Sequence, residues 1–273
     1  MGEHSRREPA DAGHGAGDAL PRMATAPSPS GSLNVTRFIW QRGKAVHRIH
    51  QQKYAPTAFN PGVVGNARFS PIETLLGVAI PTLYGGTTFD CAAMETVFHD
   101  VPFVPGFKSV AKQKLASQHY SVLEPREDLV LADLSQVALR KLGIARAQLI
   151  DTEKDRYPSS REWAHAIYTQ CPDVQGLRWV SRQDDRAEAI MLFGDRISAG
   201  VLSHIGVSRD LLLDAATYGG LLALASAIGV TLVEGTQECR VLPLFSLLLR
   251  FSLAFVNRAI LGKSIQFVQL HRC

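Results

Sequence analysis

Cysteine is scarce in this chain, and what there is lies scattered. Cys91, Cys171, Cys239 and Cys273 are the four present in 273 residues, and no two of them stand in a CxxC pair. Such spacing offers neither the clustered thiolates of a zinc site nor the framework of a disulfide-stapled secreted domain, and a reducing, cytoplasmic location is expected. Charge of one sign is lacking too. The formal net charge is +4, whereas a dedicated nucleic-acid binder gathers its basic residues into one patch, so direct nucleic-acid binding is not expected. No apolar run follows the N-terminal charges, so no secretory signal is read there. No GxSxG elbow accompanies the serines and histidines, which argues against a Ser-His-Asp hydrolase. No metal cluster and no internal repeat are visible.

The rest of the composition is that of a globular protein, with 46% hydrophobic and 20% charged residues, and the length suffices for a substantial core. Residues 1–34 are the exception. They are rich in Gly, Pro, Ala and Ser and poor in large apolar residues, so a disordered tail is expected. Met23 offers an alternative start. At the other end, residues 234–273 form an apolar and basic tail. Its stretch 241–261 is long enough to span a bilayer, but it contains Pro243, Arg250 and Asn257, and a central arginine costs roughly 2.5–3.5 kcal/mol on insertion scales. A membrane span is the less favoured reading beside a docked helix or a tail foreign to the domain.

Between the tails, residues 35–233 alternate between strand and helix patterns. Ala45–His50 has period two, which puts Val46, Arg48 and His50 on one strand face. Residues 128–134 and 189–193 read as strands. Residues 176–182 form a strand carrying Ser181 and a hairpin with 189–193 across a polar loop. Helices are predicted over 135–142, from the Ser159–Glu162 capping-box spacing to about 170, and over 208–228, stopped by Gly229 before a last strand at 230–233.

The chain is organised around residues 59–102. Asn60-Pro61-Gly62 and Gly65-Asn66 supply turn chemistry ahead of Arg68. Ile80–Tyr84 reads as a short strand that its proline places at an edge or a strand start. A Gly-Gly-Thr-Thr turn follows. Thr88 caps a helix predicted over 89–98, in which Glu95 and His99 share one otherwise apolar face. His99 is read as capping that helix end, and His47 and His50 as surface or packing residues.

Taken together, Arg48, Arg68, Tyr84, Glu95 and Ser181, set in HRIH (47–50), FNPGVVGNARFSP (59–71), IPTLYGGTTFDCAAMETVFHDVP (80–102) and GLRWVSRQDD…MLFGDR (176–196), resemble the RES domain. That family, named for its arginine, glutamate and serine, supplies the toxin of RES–Xre toxin–antitoxin pairs. The segments occur in the family's order with similar spacing. One departure is Gly65-Asn66-Ala67-Arg68-Phe69, where the family usually has a double glycine followed by Arg-Trp.

The resemblance implies an α+β domain over 35–233, with an ADP-ribosyltransferase-like mixed β core flanked by helices. It also implies NAD+ as substrate, split at the nicotinamide–ribose bond. Arg48 and Arg68 would hold the pyrophosphate and ribose, and Tyr84 would stack on the nicotinamide. Glu95 would sit at the reacting ribose, and Ser181 would line the same pocket. Catalysis would fall to Glu95, Arg68 and Tyr84, and substrate binding to Arg48, Arg68, Tyr84 and Ser181, with no metal. The implied partner is an Xre-type antitoxin, and a homodimer is left open. The chemistry asks for these residue types in its own right. A carboxylate stabilises an oxocarbenium-like ribose, arginines bind diphosphate by charge-assisted forks, and an aromatic ring walls the leaving base. Transfer of ADP-ribose to a protein, or NAD binding without turnover, remain alternatives.

Overall fold

The computed structural model describes residues 25–235. Ten strands form there: β1 Arg37–Trp40, β2 Val46–Gln51, β3 Thr82–Gly86, β4 Lys108–Ala111, β5 Gln118–Pro125, β6 Leu129–Asp133, β7 Gly176–Val180, β8 Glu188–Phe193, β9 Leu202–Asp210 and β10 Val230–Val233. The helices are α1 Phe89–Met94, α2 Gln136–Leu139, α3 Arg146–Leu149, α4 Tyr157–Gln170 and α5 Ala215–Ala227. The fold is α+β, as expected.

Eight strands make one sheet in the order β1-β6-β7-β8-β3-β2-β5-β9, and β10 and β4 make a second, parallel pair. All neighbours in the large sheet are antiparallel except β6 and β7. A parallel neighbour needs a crossover, and α2, α3 and α4 form it. Strand β8 lies mid-sheet and is buried along almost its whole length. That is why its sequence, EAIMLF, is a continuous apolar run rather than an alternation. One core cluster, with Leu139, Trp163, Trp179 and Phe193, packs the crossover helices onto the sheet. A second, with Phe98, Leu115, Leu221 and Val230, lies around α1, α5 and the small sheet.

Several local expectations shift. Residues 25–34, placed in the disordered tail, lie along α4. Trp163 Nε1 donates to the Pro27 carbonyl at 2.8 Å, and Gln170 accepts from the Leu33 amide at 2.9 Å. Residues 1–24 are outside the described residues. The capping-box pair does not cap. Ser159 donates to the Ala26 carbonyl and Glu162 accepts from Ser28, while α4 begins two residues earlier with Pro158 in its first turn, the position proline favours.

Residues 208–210 end β9 instead of starting a helix, because the hydrogen bonds of β5 extend that far, and Asp214 caps α5 by accepting from the Thr217 amide. Gly85 and Gly86 are strand residues, not a turn. A Cβ on Gly85 would lie 2.4 Å from Val46 Cγ1, and one on Gly86 would lie 2.6 Å from Cys91 Sγ, so both positions are glycine because neighbours approach closely. Pro81 immediately precedes β3, the strand-start option for that proline. The apolar stretch 241–261 lies outside the described residues. Among the described residues, no helix is long and apolar enough to cross a membrane.

Candidate active site

A cavity of about 330 Å³ opens where β2, β3 and α1 meet the loop before Phe69 and the start of α4. Arg48, Arg68, Tyr84 and Glu95 all line it, together with Asn66, Thr96, His99, Lys154, Tyr157 and Trp179. Four of the five residues singled out in the sequence therefore share one wall system, although they come from two strands, a loop and a helix end.

Glu95 is placed by a short helix with a definite start and stop. The Thr88 hydroxyl accepts from the Cys91 amide at 3.0 Å and opens α1, which ends at Met94, leaving Glu95 as the C-terminal cap. The predicted run to residue 98 is thus cut short, and residues 95–98 turn instead. Inside the helix Cys91, Ala92, Ala93 and Met94 are all buried, which anchors the element that presents the carboxylate. Burial, reinforced by the negative charges of Glu95 and Asp184, pushes the Cys91 thiol up to about 12, so it is no nucleophile at neutral pH.

Ser181 is where the sequence reading needs correction. It is fully buried and does not reach the cavity; it stands behind Glu95. Its Oγ accepts from the amides of Gln183 and Asp184, both at 3.0 Å, and donates to Glu95 Oε1 at 2.6 Å. With its lone pairs occupied by two amides, its one proton goes to the carboxylate, fixing which oxygen of Glu95 is held and which is free.

Arg48 and Arg68 are both buried, and neither has a carboxylate within ion-pair distance among the described residues. Arg48 Nη1 donates to the Pro56 carbonyl at 2.5 Å, and burial pushes its guanidinium down to about 10, still protonated at neutral pH. Arg68 Nη1 donates to Thr152 Oγ1 at 2.8 Å, and Nη2 to the Tyr157 hydroxyl at 3.3 Å. Its guanidinium lies 4.8 Å from the Tyr157 ring centroid. Burial lowers its pKa as well, partly offset by Tyr157 and Glu95. Buried charges are normally paired. Two that are not, lining one cavity, make a site with a standing affinity for an anion.

Tyr84 is tied through its hydroxyl, which donates to Ser70 Oγ at 3.1 Å and accepts from the Phe69 amide at 3.2 Å. Its ring meets Trp179 edge-on at 6.3 Å. Burial pushes the phenol up to about 12, so it is a neutral wall rather than a base. The same two bonds pin the loop bearing Arg68 to β3.

The sequence reading missed Tyr157, Lys154 and Thr152, and it took His99 for a helix cap. In the structure His99 Nε2 is 2.9 Å from the Tyr157 hydroxyl and its Nδ1 is 2.7 Å from Asp100. Pro158 was the signal available for Tyr157, since a proline in the first turn dates the helix start to 157. His47 and His50 do pack as expected, bonded to Tyr120 and Ser121.

Comparison with known proteins places these residues in a common setting. A family model described as "RES domain" matches residues 45–214, which include Arg48, Arg68, Tyr84, Glu95 and Ser181. Among solved structures, the "Crystal structure of the M.tuberculosis MbcT-MbcA toxin-antitoxin complex" is similar with a TM-score of 0.50 at 16% identity, covering 67% of this chain and 91% of that one. At that identity the likeness is one of fold. No curated protein matches. With the family model spanning more than half of the sequence, the chain belongs to the RES domain family.

Proposed function

We propose that this protein is the toxin of a toxin–antitoxin pair and that it splits the nicotinamide–ribose bond of NAD+. The observation that supports the reading most is the convergence of one carboxylate, Glu95, with two buried arginines lacking carboxylate partners on a single cavity. A diphosphate flanked by two riboses asks for that combination. The arginines would take its charge in place of the missing carboxylates, and Tyr84 and Trp179 would offer apolar walls to a flat base.

In the proposed reaction the C1′–N1 bond to nicotinamide breaks and its electron pair leaves with the ring nitrogen, which discharges the pyridinium. The ribose becomes oxocarbenium-like. The free oxygen of Glu95 stabilises that charge electrostatically or holds the ribose hydroxyls, while Ser181 keeps the other oxygen in place. An oxygen of water, phosphate or a protein side chain then bonds to C1′ and gives up its proton. Arg48 and Arg68 hold the diphosphate on both sides of that step. The antitoxin, proposed to be of the Xre type, would act by covering the cleft. The known complex of similar fold is itself a toxin–antitoxin complex.

The test is product analysis. Purified protein incubated with NAD+ is expected to give free nicotinamide in equal amount to an ADP-ribosyl product. Free ADP-ribose, its 1″-phosphate or label on a macromolecule tells the three acceptors apart. Bound NAD+ recovered intact would reduce the protein to a binding module and overturn the reading.

A further inference from the structure

A second set of polar groups, which the proposed chemistry does not use, starts in the cavity wall with Tyr157 and His99 and runs behind it to Asp100. Their bonds run in series. His99 Nδ1 lies 2.7 Å from Asp100 Oδ1, His99 Nε2 lies 2.9 Å from the Tyr157 hydroxyl, and that hydroxyl lies 3.3 Å from Arg68 Nη2. The Asp100 carboxylate is also gripped by Lys154 Nζ at 2.7 Å.

With a neutral His99, each link has one direction. Lys154 first, and then His99, hold the Asp100 carboxyl down at about 2, so it is an anion that can only accept. Nδ1 of His99 must then be its donor. In a neutral imidazole this leaves Nε2 as a bare acceptor, and the Tyr157 hydroxyl donates to it. With its proton committed, the Tyr157 oxygen has lone pairs to offer, and Arg68 is the donor facing them. The Tyr157 ring stacks on the same guanidinium at 4.8 Å. On the other side, Thr152 Oγ1 takes Arg68 Nη1, and Arg182 fastens the Thr152 carbonyl and Glu153 in turn.

We infer that Asp100, His99 and Tyr157 are positioning residues, a directed hydrogen-bond chain that fixes the Arg68 guanidinium so that its remaining N–H groups face a bound diphosphate. The assignment rests on the reading of the cavity as a diphosphate site and adds the device that orients its charge. An arginine has several rotatable bonds and loses affinity whenever it must be ordered on binding. One held from two sides in advance avoids that cost, as an oriented binding group requires.

The experiment compares wild type with Tyr157→Phe, His99→Ala and His99→Gln in the full chain. It measures binding of inorganic pyrophosphate by calorimetry and the kcat and KM for NAD+. Phenylalanine keeps the ring under Arg68 and removes only the hydroxyl, and the glutamine Oε1 can replace Nε2 as acceptor. Loss of one hydrogen bond to a charged group predicts about a tenfold weaker pyrophosphate Kd and higher KM for Tyr157→Phe and His99→Ala, with kcat within about twofold. His99→Gln is expected to stay near wild type. Unchanged constants in Tyr157→Phe, a fall in kcat without change in KM, His99→Gln behaving like His99→Ala, or no pyrophosphate binding by the wild type would each overturn the inference. Pyrophosphate binding that follows the predicted pattern without NAD+ turnover would instead defeat the proposed reaction and leave the positioning chain standing.

Discussion

Ser181 and Glu95 divide one task between them. The serine proton goes to the carboxylate, so Ser181→Ala should let Glu95 rotate. By leaving the part-buried Gln183 and Asp184 amides without their acceptor, it should also cost about 1–3 kcal/mol of stability. About a tenfold loss in kcat with little change in KM is the expected outcome of steady-state assays, since a hydrogen bond to a charged group contributes about 1.5 kcal/mol or more. Arg48 makes a different prediction. Its burial without a carboxylate opposes folding, and a well-packed apolar replacement of similar length removes that cost. Arg48→Met should therefore melt no lower than the wild type in a thermal scan yet bind NAD+ at least about tenfold more weakly. A lower melting temperature would mean that the bond to the Pro56 carbonyl outweighs desolvation.

At the scale of elements, the site depends on how α1 and β3 meet. Helix α1 is only six residues long and cannot stand by propensity alone. Its Thr88 cap matters accordingly. Thr88→Ala should cost about 1 kcal/mol in denaturant unfolding and should lower kcat as well, because Glu95 hangs on the far end of the same helix. Gly85→Ala should cost about 1–3 kcal/mol by overpacking, given the Val46 side chain at 2.4 Å from the new methyl.

These two elements also mark how far the sequence could be read. Thr88 as a cap and Val46–His50 as an alternating strand were legible because both are local patterns. The glycine pair was not. Gly-Gly-Thr-Thr has turn chemistry, and only pairing with β8 and β2, both remote in sequence, makes the glycines strand residues. The same holds for Ser181: the strand before it was legible, but β7 ends at Val180 and leaves Ser181 just beyond it, and its bond to Glu95 joins residues 86 apart in sequence. Tyr157 and Lys154 were missed for this reason too, since their part in the cavity depends on how the β6–β7 crossover folds back over it.

For the molecule as a whole, the described residues pair an ordinary core with an electrostatically incomplete cavity. The segment 25–34 belongs to that core through Ala26 and its bonds to Trp163, Ser159 and Gln170. Removing residues up to 34 should strip those partners from α4 and lower the melting temperature by several degrees, on the order of 1 kcal/mol for each buried hydrogen bond left open. The cavity's missing charges are the molecule's other open account; on the proposed reading a dianionic ligand closes it, which would place substrate binding and protein stability on the same two arginines. The claim that the cavity is an NAD+-splitting site stands on Glu95. The most direct measurement is the rate of nicotinamide release from NAD+ by the wild type and by Glu95→Gln, which keeps the shape and removes the charge. Release by the wild type with at least about a hundredfold lower kcat in Glu95→Gln, as for loss of a preorganised electrostatic group, is the predicted result; equal rates, or no release by the wild type, would contradict it.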